Sequence, residues 1–363
     1  MRIVIPARLL KKLPREVGAD GDLHGVVHPA EGHLHVAELV RAGRQIESSL
    51  PKVGTWAVCS RARSEEAEPG SGLRLVIGVD DRTYRVSLDG NDVTAATRVV
   101  DDEEEFAARI KSSVDVKHLS KCRVAILGAG RVGSNAAMLL AGSHVGRFTV
   151  LDRDEVEASN IPHSAFQMTD VGRDKAAALR DGLLTVNPLL EVTAVQADVC
   201  QMPLDALNRL SQGHDILLVA VDDPLFMRRV NDLAYALKPA VYVALHEGGR
   251  GEVVYTRPQK TRCLRCCVRL EERTRLEGAA SLGIETLPVV LVAVQVVLGL
   301  LLQGRKGGDA FSGLVNDRRN LLLVGSRRAE PLKELPEAVL MATVAVDTSR
   351  QTRHCEVCKN IAW

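Results

Sequence analysis

The chain has 363 residues, enough for two domains of ordinary size or one large one. Its 47 basic and 46 acidic residues nearly cancel, and only 3% of it is aromatic. That balance argues against capture of nucleic acid or of an anionic membrane, and so few aromatics leave little for base stacking.

The N-terminus, MRIVIPARLLKKLPREV, lacks the charged, apolar, small-residue layout of a secretory signal, so a cytoplasmic location is expected. His24, His28, His33 and His35 crowd together soon after it. A metal site would want such a cluster, but the His-Pro and Glu-Gly pairs and the lack of helical spacing favour a loop with incidental histidines. Glu65 to Gly72 reads as a polar loop. Leu73 to Ile77 and Tyr84 to Leu88 read as the strands of a hairpin, and Gly90-Asn-Asp as a further turn. Asp101 to Glu105 is an acidic run suited to a helix N-terminus, and Phe106 to Val114 reads as a linking helix. The change of texture places an accessory or recognition domain at 1–100, small and mixed α+β, and a second domain at 101–363.

The second domain opens on a strand of branched apolar residues, Val124 to Leu127, followed without a gap by Gly128-Ala-Gly130-Arg-Val-Gly133 and a helix-favouring run from Ser134 to Ala141. Three glycines at this spacing let the backbone turn tightly, approach a phosphate and pack helix on strand. Arg147 to Leu151 returns as the next strand and ends at Asp152, close to the offset of about 20 residues at which nucleotide folds place a ribose carboxylate. The fingerprint alone fits a nicotinamide dehydrogenase as well as an ATP-binding protein. The loop Asp154-Glu-Val-Glu-Ala-Ser-Asn160 sets carboxylates beside a phosphate site, which suits a magnesium nucleotide; the plain alternative is a solvated acidic loop.

Gly172-Arg-Asp-Lys175 starts another helix, ending near Asn187-Pro188, and a lysine in that first turn opposes the helix dipole unless a phosphate meets it. Strands are expected at Val192 to Gln196, from His214 to Asp222-Asp223, at Ala240 to Leu245 and at Glu252 to Thr256. Asp222 falls at the carboxyl end of its strand, where open parallel sheets hold ligands. The apolar run Leu287 to Leu302 approaches the length of a membrane span but carries Pro288, Gln295 and Gly299, so a buried helix is the better reading.

Of the eight cysteines, four form two pairs, Cys263-Leu-Arg-Cys266 and Cys355-Glu-Val-Cys358, a pattern suited to structural zinc with four thiolates; a redox disulfide is the alternative. Cys59, Cys122 and Cys200 read as small core residues, and Cys267 is the extra thiol beside the pairs.

These motifs, in this order, resemble the ThiF/MoeB/HesA family, bacterial relatives of ubiquitin-activating enzymes, over Arg109 to Trp363. The resemblance implies a Rossmann-like α/β fold, a mostly parallel sheet with helices on both faces, and a homodimer. It implies ATP held by Gly128, Gly130, Gly133, Asp152, Asp154, Ser159, Asn160, Lys175 and Asp222, with Asp152 at the ribose, Asn160 and Lys175 at the phosphates and Asp222 on Mg2+. It further implies adenylation of the C-terminal carboxylate of a ubiquitin-like or sulfur-carrier protein, with possible thioester transfer to a conjugating enzyme, or of a ribosomally made peptide. Two departures stand out. His163 occupies a position where the family has arginine, and Arg109 or Arg131 would supply a cation. The stretch Glu271 to Gly283 holds no cysteine, leaving Cys267 or Cys200 as the acceptor thiol if one exists. A nicotinamide oxidoreductase would leave Lys175, Asp222 and the cysteine pairs unexplained, and a catalytically silent scaffold is supported only by the two departures.

Overall fold

The computed structural model describes residues 2–6, 23–30, 33–41, 56–61, 73–77, 84–88, 91–100, 102–246, 250–268, 283–325, 342–348 and 355–358. The polar loop expected at 65–72 and nearly all of the cysteine-free stretch 271–283 lie outside these residues, as does the side chain of Cys59. The chain divides into two compact units, Met1–Arg109 and Ile110–Trp363.

The first unit contains β1 (Arg2–Pro6), β2 (Leu23–Ala30), β3 (His33–Arg41), β4 (Trp56–Arg61), β5 (Leu73–Ile77), β6 (Tyr84–Leu88), β7 (Asn91–Asp92) and β8 (Thr97–Val100), followed by helix α1 (Asp102–Ala107). The eight strands form one sheet in the order β7-β6-β5-β4-β2-β3-β1-β8. β5 and β6 are the expected hairpin, with Leu73 opposite Leu88 and Ile77 opposite Tyr84. Asn91 and Asp92, expected only as part of a turn, pair back onto β6.

Two expectations fail here. The histidine-rich segment is not a loop: His24 and His28 lie in β2 and His33 and His35 in β3. Cross-strand pairing satisfies the backbone there, and helical spacing was the wrong period to test. The linking helix does not span Phe106 to Val114. Its acidic first turn starts it at Asp102, it ends at Ala107, and Asp115 caps a separate helix by accepting a 3.0 Å hydrogen bond from the His118 N–H.

The second unit contains α2 (Val116–Leu119), β9 (Arg123–Leu127), α3 (Arg131–Gly142), β10 (Arg147–Asp152), α4 (Lys175–Val186), β11 (Glu191–Gln196), α5 (Leu204–Gly213), β12 (Ile216–Val219) and α6 (Pro224–Ala234). It continues with β13 (Ala240–His246), β14 (Arg250–Thr256), α7 (Leu264–Cys267), α8 (Gly283–Leu301), β15 (Leu321–Gly325) and β16 (Ala342–Val346). Its sheet runs β11-β10-β9-β12-β13-β14-β15-β16. The strands from β11 through β13 are parallel, and β14, β15 and β16 are added antiparallel.

β9 and β12 are apolar because both faces of the sheet are covered. Val124 and Ile126 pack with residues of α3, α4 and α8, while their alternates Ala125 and Leu127 pack with residues of α5, α6 and α7. The long apolar run forms α8, in which Val289, Val290, Ala293 and Val297 are fully buried. A Cβ on Gly251 of β14 would lie 2.5 Å from Val289, so glycine there lets α8 settle against the sheet. The first strand of the unit, β9, ends up between β10 and β12, and the chain leaves it in both directions. That switch point opens a crevice at the carboxyl ends of β9, β10 and β12.

Candidate nucleotide site and cysteine cluster

The glycine turn is shaped by contact at two positions and left open at the third. Gly128 has φ +95, and a Cβ there would lie 2.7 Å from Val221 and 2.8 Å from the Ala220 carbonyl oxygen. A Cβ on Gly133 would lie 1.8 Å from the Gly128 carbonyl oxygen, so only glycine lets α3 close on the turn. Gly130, the N-cap of α3, has nothing within 4 Å of such a Cβ. A helix N-terminus presents unpaired N–H groups suited to an anion.

Asp152, at the end of β10, is 8% exposed and is pinned by two backbone donors. The Ala129 N–H donates to Oδ2 at 2.6 Å and the Asp154 N–H to Oδ1 at 2.9 Å. Burial raises its pKa, against the pull of these two bonds and of Lys175. A carboxylate has further lone pairs, so ribose hydroxyls can still donate to it.

Lys175 reaches the same place from α4. Its side chain is mostly buried, and Nζ lies 3.3 Å from Oδ2 of the more exposed Asp154. The backbone stitches the two loops together: the Lys175 N–H donates to the Asp154 carbonyl, the Val156 N–H to Arg173, and the Gly172 N–H to Val156. Arg173 in turn bridges Asp170, at 2.7 Å, and the buried Asp181 of α4. Sequence reading missed this brace; the adjacent Arg180 and Asp181 in a helix-favouring run were the signal it offered.

The acidic loop spends its polar groups partly on itself. Asn160 Oδ1 accepts from the Glu157 N–H at 3.0 Å, and the Ser159 hydroxyl donates to Glu157 at 3.0 Å. His163 is tied through its carbonyl, which accepts from Asn135 of α3 at 2.9 Å. Its ring Nδ1 is buried and has no hydrogen-bond partner among the described residues.

The two acids after β12 divide their work. Asp223 caps α6, accepting from the Phe226 N–H at 2.8 Å. Asp222 is exposed at the carboxyl end of β12, next to Val221, the residue that touches Gly128. Asp154 and Asp222 are both exposed, and carboxylates are the oxygen ligands that a hard cation takes. Arg109 belongs to the first unit.

The remaining thiols are poor nucleophiles. Cys267 is buried, its Sγ lies 3.5 Å from Asn320 Oδ1, and burial pushes its pKa up. Cys200 is half-buried, and burial, with Asp223 beside it, pushes its pKa up to about 11. The thiolate carries reactivity, so both are held back as acceptors.

Helix α7 and residues 355–358 bring four sulfurs together. Cys263, Cys266, Cys355 and Cys358 have their Sγ atoms within 4.8 Å of one another. Cys263 lies 3.5 Å from Cys355, and Cys266 lies 3.5 Å from Cys358. Asn231, fully buried in α6, fixes α7 by accepting from the Leu264 N–H at 2.8 Å. Hydrogen bonding with Cys266 and Cys358, together with burial, pushes Cys263 up, while hydrogen bonds from Cys263 and Cys266 hold Cys358 down. Four converging sulfurs with competing protons are a set that a soft divalent cation can occupy.

Comparison with known proteins agrees with this geometry. Residues 104–316 match the profile of the ThiF family. The molybdopterin-synthase adenylyltransferase of Salmonella typhimurium is 29% identical over 199 residues, 54% of this chain and 79% of that protein. The sulfur carrier protein ThiS adenylyltransferase of Escherichia coli is 30% identical over 146 residues, 40% of this chain and 57% of that protein. The crystal structure of E. coli MccB with ATP superposes with a TM-score of 0.52 at 19% identity, covering 67% of this chain and 68% of that one. At that identity the likeness is one of fold.

Proposed function

The chain belongs to the ThiF family, and from that premise we propose that it uses ATP to adenylate the C-terminal carboxylate of a ubiquitin-like or sulfur-carrier protein. The observation that carries this reading is the gathering of Asp152, Lys175 and Asp222 at the carboxyl ends of β10, β9 and β12, around a glycine turn with open space at Gly130.

In the proposed reaction a carboxylate oxygen bonds to the α-phosphorus of ATP, and the bond from that phosphorus to the α,β-bridging oxygen breaks, releasing pyrophosphate. No general base is required, because the attacking carboxylate is ionised near neutral pH. Asp152 accepts from the ribose hydroxyls. Lys175 exchanges Asp154 for the phosphates and stabilises the charge that builds at the α-phosphoryl oxygens. Asn160 and Ser159 address the phosphates, with His163 standing where the resemblance calls for arginine. Asp222 would hold Mg2+, which when bound would neutralise charge on the phosphates.

Zinc is the proposed occupant of the four-cysteine cluster, where it ties residues 355–358 to α7. The protein acts in the cytoplasm, where thiols stay reduced, and as a homodimer. Exposed Ile284, Leu287 and Leu291 on α8 support that assembly.

The test is ATP–pyrophosphate exchange with each small ubiquitin-fold protein or short peptide encoded nearby. Exchange with a ubiquitin-fold partner supports the reading, and a thiol-sensitive adduct extends it to thioester transfer and a conjugating enzyme. Exchange only with a peptide supports the second reading, adenylation of a ribosomal peptide. The cysteine-free stretch 271–283 and the raised pKa values of Cys200 and Cys267 favour that second reading over thioester transfer. No exchange with any of them would leave a binding scaffold.

A further inference from the structure

We propose that Arg153 is a positioning residue for Lys175, acting through the carboxylate they share, that of Asp154; the inference rests on the reading of Lys175 as a phosphate ligand. Arg153 directly follows Asp152, the last residue of β10. Its Nε donates to Oδ1 of Asp154 at 3.3 Å, while Lys175 Nζ lies 3.3 Å from Oδ2 of the same carboxylate. The far end of the guanidinium is anchored, its Nη1 donating to Asp198 Oδ2 at 2.8 Å. Asp198 is itself held in place. Its Oδ1 accepts from the Cys200 N–H at 2.9 Å, and the Ala197 N–H before it donates to the Asp152 carbonyl at 3.0 Å. Arg153 therefore links the loop after β11 to the loop after β10, with one carboxylate at each end.

The burial of the three groups gives this link its use. The Lys175 side chain is only 12% exposed and that of Asp154 is 54% exposed, so the enclosed cation is neutralised by a carboxylate at the open rim. To meet a phosphate, Lys175 has to give up Asp154. Asp154 then keeps its negative charge beside an arriving anion, which is unfavourable unless another cation holds it. Arg153 meets both needs. Before the exchange it shares the charge of Asp154 and so loosens the hold on Lys175. After the exchange it remains the counter-ion of Asp154. A guanidinium suits this, because its donors form a rigid planar fork that can address two carboxylates at once. Without Arg153 the whole charge of Asp154 falls on Lys175, and ATP must break a tighter pair.

The experiment measures binding of ATP with Mg2+ to the full chain by calorimetry. Arg153→Gln is expected to weaken ATP by about three- to fivefold, the range that a half-exposed ion pair supports, and Arg153→Lys recovers part of the loss. The loss shrinks as salt is added, because exposed charges are screened. In an Asp154→Asn background Arg153→Gln makes no further difference, since the carboxylate through which it acts no longer carries charge. Asp198→Asn keeps a cap for the Cys200 N–H but releases Arg153, so it weakens ATP in the same direction. It decides the matter if Arg153→Gln fails to fold. ATP held by Arg153→Gln as tightly as by the unmutated chain overturns the proposal. So does an equal loss in the Asp154→Asn background, which means that Arg153 meets the nucleotide directly. Those two results leave the nucleotide reading standing. An unmutated chain that binds no ATP overturns that reading and the role of Arg153 together.

Discussion

The nucleotide crevice and the cysteine cluster lie in one unit and on one sheet, yet they are built on opposite terms. The crevice leaves charge and space accessible: Asp154 and Asp222 are exposed, and among the described residues a Cβ on Gly130 would meet nothing within 4 Å. The cluster is closed, with Cys263, Cys266 and Cys358 buried against Tyr235. A site that must release its occupant keeps its ligands partnered in the meantime, as Lys175 is by Asp154. A site that keeps its occupant can be completed by the occupant itself. The crevice should therefore lose activity before stability when altered, and the cluster the reverse.

The largest effect should come from the cluster. If zinc occupies the cluster as proposed, Cys358→Ser or treatment with a chelator is expected to cost about 4 kcal/mol or more, a fall in melting temperature of about 10 °C. Scanning calorimetry with and without added zinc checks it, and unchanged melting in the chelator would break the contrast. Next come the two glycines of one turn. Gly133→Ala drives a Cβ to 1.8 Å from a carbonyl oxygen and should cost about 3 kcal/mol or more. Gly130→Ala meets nothing within 4 Å and should change stability by less than about 1 kcal/mol while weakening ATP binding. Denaturant melts paired with nucleotide titrations separate the two.

Lys175→Ala should slow pyrophosphate exchange about 10²–10³-fold and shift stability by less than about 1 kcal/mol, because its ion-pair partner is half exposed. Exchange at the unmutated rate would remove Lys175 from the reaction. The smallest effect concerns Cys200. With its pKa raised from 9.0 to about 11, its thiolate is scarcer at pH 8 by about a hundredfold, and alkylation should be slower by the same factor. The rate should climb as pH rises through 11, and peptide mapping by mass spectrometry reads it. Alkylation at an ordinary thiol's rate would restore Cys200 as an acceptor.

The parts that local pattern controls were legible in the sequence alone. Buried parallel strands have to be apolar on both faces, so Val124 to Leu127 and the strand before Asp222 declared themselves, and the glycine spacing announced the turn. The paired cysteines did the same, because a short turn sets two sulfurs on one side, and the fold brings the two pairs together. Tertiary structure decided the rest. Asp222 and Asp223 are identical as letters, and only the start of α6 makes one a cap and leaves the other accessible. Whether Cys267 was reactive or inert depended on burial against Asn320, which comes from a distant part of the chain. The histidine-rich segment read as a loop because strand pairing is set by which strands meet, a non-local choice that no single stretch of sequence records.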